Sequence, residues 1–194
     1  MKRTLLLAAL AVCAALPAFA QSTEFGIVVG GSRRFIDAAP NHSGQPFLDS
    51  DFSFGNSAVD LYWATELDPG TWFKIKAGRI QTQIAVVDGV DTTTDPDTVF
   101  RRDVEGEVQH VDAIVEYRFS EPFGRSALFG GVGMYRQSGN GAEAARDWGY
   151  SVGTNTDFPL SRRYGVLVEA AYHWSRGDFR ARYLTVGAGL RVSF

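Results

Sequence analysis

The final eleven residues, 184–194, constrain this chain more than any other stretch. Apolar residues fall at every second position (Leu184, Val186, Ala188, Leu190, Val192, Phe194), with Thr185, Gly187, Gly189, Arg191 and Ser193 between them. Successive Cβ atoms of a strand point to opposite faces, so a period of two predicts a β-strand with one oily and one polar or small-residue face. The strand finishes the sequence on an aromatic ring. A chain built from such strands must bury or otherwise cover its oily faces.

At the other end, residues 1–20 read as a secretory signal peptide. Lys2 and Arg3 form the positive region, Thr4 to Leu16 the short apolar region, and Ala18-Phe19-Ala20 the small-residue site, with cleavage expected before Gln21. The apolar run is too short for a spanning helix, which needs ~20 such residues. Cys13 follows Leu10-Ala11-Val12 as in a lipoprotein signal, but Val12 is larger than the residue that signal prefers. The domain expected after cleavage covers residues 21–194.

Cys13 is the single cysteine, so the mature chain offers no disulfide, thiolate nucleophile or cysteine-ligated metal. Removing Lys2 and Arg3 takes the count of 19 basic against 22 acidic residues to 17 against 22, a net −5. No clustered basic surface of the kind a nucleic-acid binder needs is visible. Helical periodicity is scarce, and only Gly141-Ala-Glu-Ala-Ala-Arg146 looks helix-friendly. The expected fold class is all-β.

Eight alternating segments can be traced, at about 24–34, 57–67, 71–87, 108–119, 126–135, 146–158, 164–174 and the C-terminal strand. Residues 108–119 alternate most cleanly: Val111, Ala113, Val115, Tyr117 and Phe119 oppose His110, Asp112, Ile114, Glu116 and Arg118. The third segment starts with Phe73, Ile75 and Ala77 on its apolar face, then changes phase so that Ile80, Ile84 and Val86 become the apolar set. A β-bulge at Gly78–Arg79 is the predicted cause. Connections alternate in length, with compact turns at 68–70, 120–125 and 159–163. Longer polar stretches lie at 35–56, 88–107 and 136–145, with a shorter one at 175–183. Short connections on one rim and long ones on the other fit an eight-stranded, antiparallel, up-and-down transmembrane barrel, with turns in the periplasm and loops outside.

Alternation alone leaves open a secreted soluble barrel whose oily face lines a ligand cavity. Three features favour the oily face outside. The polar face carries both signs of charge (Asp60, Lys74, Lys76, Asp112, Glu116, Arg118, Glu169, Arg191), able to pair across a narrow interior. It is also rich in glycine, which suits a cramped lumen. Aromatics near apolar strand ends (Trp63, Trp72, Tyr117, Phe119, Trp148, Tyr172, Trp174) read as interfacial girdles.

The leader, the alternating strands, the segment Phe129-Gly-Gly-Val-Gly-Met-Tyr135 and the terminal Phe194 together resemble the OmpA/OmpX-type family of small eight-stranded outer-membrane barrels. The resemblance covers the mature chain. It implies bacterial outer-membrane localisation and contact with outer-membrane lipids and lipopolysaccharide. It also implies assembly by the barrel-assembly machinery, which reads a C-terminal signal that Gly189, Val192 and Phe194 match. Gly187 departs from that signal, since a polar residue is usual there. A structural or surface-interaction role is implied, in a monomer without cofactor, with the long loops as the surface for an extracellular ligand.

An enzymatic alternative rests on His173-Trp-Ser175, which is similar to the His-x-Ser pair of lipid A-modifying ester hydrolases on small barrels. There serine attacks the ester while histidine takes its proton. Glu169 and Asp178 are the nearby acids, but neither stands where the resemblance puts one, and parity points His173 to the lumen. No catalytic, cofactor-binding or metal residue is therefore assigned. The acidic stretch from Asp88 to Asp97, continuing to Asp103, Glu105 and Glu107, lacks EF-hand spacing and reads as a solvated external loop. Arg101 and Arg102 could meet lipopolysaccharide phosphates there. His42, His110 and His173 lie far apart and show no metal spacing.

Overall fold

In the computed structural model, the residues described are 22–35, 56–91, 93, 98–139, 142–176 and 182–194. They form eight strands: β1 (Thr23–Phe35), β2 (Ser57–Asp68), β3 (Thr71–Asp91), β4 (Thr98–Glu121), β5 (Gly124–Gly139), β6 (Ala142–Pro159), β7 (Tyr164–Ser175) and β8 (Arg182–Ser193). Each pairs antiparallel with its sequence neighbours, and β1 pairs with β8 to close the barrel. Closure leaves no open sheet edge within the eight-stranded ring, which is the condition for a sheet to sit in hydrocarbon. The signal-peptide residues and His42 lie outside the described residues.

One end of the barrel, the turn end, carries the compact connections. Gly70 completes the β2–β3 turn with φ +81°, a left-handed conformation that suits glycine, and its carbonyl accepts a hydrogen bond from Arg118 N at 2.7 Å. Pro122 and Phe123 alone separate β4 from β5. The β6–β7 turn is held by Ser161, whose hydroxyl accepts from Arg163 N at 3.3 Å and Tyr164 N at 3.1 Å. Phe194 N donates to Thr23 O at 2.9 Å, so the last residue extends the β1–β8 seam.

At the opposite end two connections differ from the sequence expectation. Residues 88–107 do not form a long loop. β3 and β4 stay paired as far as Asp91 and Thr98, extending a hairpin past the point where β3 leaves β2 at Ile80. Val86, Val87, Val90, Val99 and Val104 are β-branched and favour strand geometry there despite the acidic residues. Residues 136–145 likewise belong mostly to β5 and β6, paired as far as Gly139 and Ala142. The alanine-rich 142–146 is strand, because a short run cannot hold a helix against a ready pairing partner.

The wall has the polarity of a membrane barrel. Outward residues such as Phe25, Leu61, Val115 and Leu190 are more than half exposed, whereas Lys74, Lys76, Asp112, Glu116 and His173 inside are at most 1% exposed. A soluble barrel with a greasy hollow is thereby excluded. Outward aromatics gather at both ends: Phe25, Phe194, Tyr117, Phe119 and Tyr164 toward the turns, and Trp148, Tyr150, Tyr172 and Trp174 toward the loops. Trp72 departs from the expected girdle. It points inward at 4% exposure, with the Arg118 guanidinium 3.7 Å from its ring centre.

No bulge occurs at Gly78–Arg79, which pair regularly with His110 and Gln109. Between β3 and β4 the register shifts only between Val87 and Gly89. Ile80 changes the apparent phase because the lumen itself turns apolar at that level. It packs inside with Ala58, Val108, Tyr135 and Tyr183.

Candidate functional site: the charged lumen

The sequence places charges on alternate residues of β2, β3, β4, β7 and β8, and closure brings these faces together. All eight expected polar-face charges are buried or nearly so, and each has a partner. Lys76 Nζ lies 2.7 Å from Glu169 and 3.4 Å from Asp60. Lys74 pairs with Glu116 and reaches to 3.8 Å of Glu169. Arg118 bridges Glu116 and Glu24, the latter at 2.7 Å. Arg191 reaches Asp157 at 3.0 Å and Glu24 at 3.1 Å. Arg125 adds a contact to Asp157 at 2.8 Å, and Asn155 donates to Glu116 at 2.9 Å.

Glu24, Asp157, Asn155 and Arg125 were not singled out from sequence. Parity alone could have found Glu24, since it shares the inward face of Gly26 and Val28. Asp157 and Arg125 sit beside a turn, where a charged residue looks like ordinary solvent-facing polarity.

Among the described residues, this network holds six carboxylates (Glu24, Asp60, Asp112, Glu116, Asp157, Glu169) and five Lys or Arg side chains (Lys74, Lys76, Arg118, Arg125, Arg191). His110 occupies the remaining place. Its Nδ1 lies 2.9 Å from Asp112 and its Nε2 3.0 Å from Asp60. Ionised carboxylates only accept, so both ring nitrogens donate. His110 thus acts as the sixth cation. A buried charge is tolerable only when paired in this way.

Two glycines make room for these groups. A Cβ at Gly78 would stand 1.7 Å from Asp60 Oδ1, and one at Gly133 would stand 1.9 Å from Asp112 Oδ1. Gly187, the departure from the expected C-terminal signal, makes room instead for neighbouring β1. A Cβ there would meet Val29 O at 2.7 Å and Val28 Cγ1 at 2.9 Å.

Closure also unites two histidines that are remote in sequence. The His110 and His173 rings are 5.1 Å apart, and with Asp112 they form a group whose ligand-type atoms lie within 4.8 Å of one another. The donor set suits a divalent metal, but the ring nitrogens are already engaged. Tyr135 Oη donates to His173 Nδ1 at 3.0 Å, and His173 Nε2 donates to Thr185 Oγ1 at 3.3 Å. Thr185 in turn donates to Ala171 O at 3.4 Å, which fixes the direction of the chain. The geometry is that of a hydrogen-bond network.

The same contacts bear on the His173-x-Ser175 pair. Both residues are buried in the lumen, His173 at 0% and Ser175 at 7% exposure, away from lipid. Glu169 is held by the lysines, and Asp178 lies outside the described residues. Of the acidic stretch, Glu107 is placed against Arg79 at 2.8 Å, while Asp88 to Asp103 have no described side chains.

A closed eight-stranded ring with an apolar wall and a filled, ion-paired lumen is the outer-membrane type of β-barrel. No family model and no curated protein sequence matches this chain. Among solved structures it is similar to Neisserial surface protein A, with a TM-score of 0.61 at 12% identity over 89% of this chain and 97% of that one. It is also similar to Ail, the attachment invasion locus protein of Yersinia pestis, with a TM-score of 0.50 at 15% identity over 89% of this chain and 98% of that one. At these identities the likeness is one of fold.

Proposed function

We propose that this chain is an integral bacterial outer-membrane protein with a non-enzymatic, structural or surface-interaction role. The observation that carries this reading is the inverted polarity: an apolar wall outside and a charge-balanced plug inside. Such a molecule is stable only where hydrocarbon surrounds it, and the plug argues against a general diffusion pore.

The turn end faces the periplasm in this reading and the loop end faces outward. The long β3–β4 hairpin then projects from the cell and is the element offered to an extracellular partner. Lipopolysaccharide and phospholipid surround the wall of a monomer. Residues 1–20 direct export, and Phe194, packed edge-on against Phe25 with ring centroids 5.9 Å apart, forms part of the signal read by the assembly machinery. The two proteins similar in fold are named a surface protein and an attachment and invasion protein, which supports a surface role.

Fractionation tests the proposal. The protein is expected in outer-membrane fractions, with faster migration on unboiled than on boiled gels. Recovery as a soluble periplasmic protein with no heat-dependent shift would reject it.

A further inference from the structure

A cavity of about 570 Å³ opens at the turn end of the lumen, and four arginines line it: Arg125, Arg162, Arg163 and Arg191. Arg125 and Arg191 are tied to Asp157 and Glu24. Arg162 and Arg163 stand differently. They are exposed on the β6–β7 turn, and no carboxylate contact to either is found among the described residues. Arg162 and Arg163 thus add positive charge to an opening where Arg125 and Arg191 are already engaged by Glu24 and Asp157, and the terminal carboxylate of Phe194 offsets only part of it.

The turn that carries the two unpaired arginines is fixed. The Ser161 hydroxyl caps Arg163 N and Tyr164 N, and Arg163 O accepts from Ser193 N at 2.8 Å, locking the turn to β8. Arginines carried by a turn of fixed backbone, around the same opening as two more oriented by carboxylates, offer it several N–H forks. Such forks match the oxygens of phosphate, often in bidentate fashion.

The cavity is also amphipathic. Phe194 lines it and contacts the lipid-facing Phe25, while Leu160 on the same turn is 69% exposed. A bound phosphate would therefore lie beside the apolar outer wall.

We infer that the turn-end cavity is a binding site for a phosphate group, held by Arg162 and Arg163 over the Arg125–Arg191 floor. Either an anionic phospholipid headgroup or a soluble phosphate can supply that chemistry, and only the lipid source rests on the membrane reading above.

Two arms of one experiment separate them. The full mature chain, folded in a phosphate-free detergent, is titrated with inorganic phosphate. It is then placed in nanodiscs of equal phosphatidylcholine and phosphatidylglycerol, and co-released lipid is read by native mass spectrometry. Wild type is expected to bind phosphate saturably, and Arg162→Ala/Arg163→Ala to weaken it at least tenfold. Arg136→Ala/Arg146→Ala, at the other end, is the control and is expected to bind as wild type does. The heat-dependent gel shift checks that each variant is folded. Enrichment of phosphatidylglycerol, lost in the 162/163 variant, identifies the lipid source. Saturable phosphate binding without enrichment identifies the soluble source. Failure of both arms, or equal loss in the control, overturns the site.

Discussion

His110 and His173 face each other at 5.1 Å in the middle of the lumen, yet they do opposite electrostatic work. His110 donates from both nitrogens to Asp60 and Asp112, completing the charge balance of the plug. His173 accepts from Tyr135 and donates to Thr185, within a run of neutral groups. Replacement should therefore be asymmetric. His110→Gln leaves two carboxylates without their shared cation and should cost ~3–5 kcal/mol, the range for breaking a buried ion pair. His173→Gln gives up neutral hydrogen bonds and should cost ~1–3 kcal/mol. Urea unfolding in bilayers gives both values, and ¹⁵N spectra should show two N–H groups on His110 and one on His173.

Lys76 makes two of the contacts in the central layer, to Asp60 and Glu169. Lys76→Met should destabilise by ~3–5 kcal/mol because Glu169 loses its nearest cation and Asp60 keeps only His110. Adding Glu169→Leu should recover part of that loss, giving a double variant more stable than the sum of the singles implies. A four-variant cycle by chemical denaturation measures the coupling.

Glycines of the barrel wall should differ in tolerance according to what stands opposite, whether they face the lumen like Gly78 or outward with Leu128 and Val132 like Gly130. Gly78→Ala drives a methyl into the Asp60 carboxylate and the His110 ring, at 1.7 Å and 2.7 Å, and should cost ~1–3 kcal/mol through overpacking. Gly130→Ala meets nothing nearer than 3.9 Å and should be near neutral. Refolding yield and unfolding midpoint in the same lipid compare the two.

The outer wall should reject charge. Leu61 is 58% exposed, and on a soluble surface Leu61→Arg would be harmless. On a wall in lipid the same change should cost ~2–4 kcal/mol near the bilayer midplane. Unfolding in bilayers measures it, and an unchanged midpoint would count against the membrane reading.

Strand number, facing and the inward placement of Asp60, Lys74, Lys76, Asp112, Glu116, Arg118, Glu169 and Arg191 were legible in the sequence. Parity is a local property and survives folding whenever one face meets lipid. The pairing of those charges was not legible, because contacts such as Lys76 with Glu169 depend on how far each strand is staggered around the ring. The same applies to His110 and His173, which look unrelated until closure sets β4 across from β7. Misreadings arose where inner and outer chemistry overlap. Ile80 and Trp72 are apolar residues inside, so a rule equating apolar with outward produced a bulge and a girdle member that do not exist. Hairpin length was missed near residues 88–107 because acidic residues suggest loop, whereas backbone pairing there continues from strands already in register.

The most direct test of the account is where the apolar face of β4 lies. Cys13 is the only cysteine in the sequence, so a mature chain with one cysteine introduced at Val111, Ala113 or Val115 takes a single spin label. In phospholipid bilayers each label should collide more with oxygen than with a water-soluble nickel complex, and that preference should fall toward Phe119 near the turn end. Nickel collisions dominating at Val111 and Val115 would put this face in water and contradict the account.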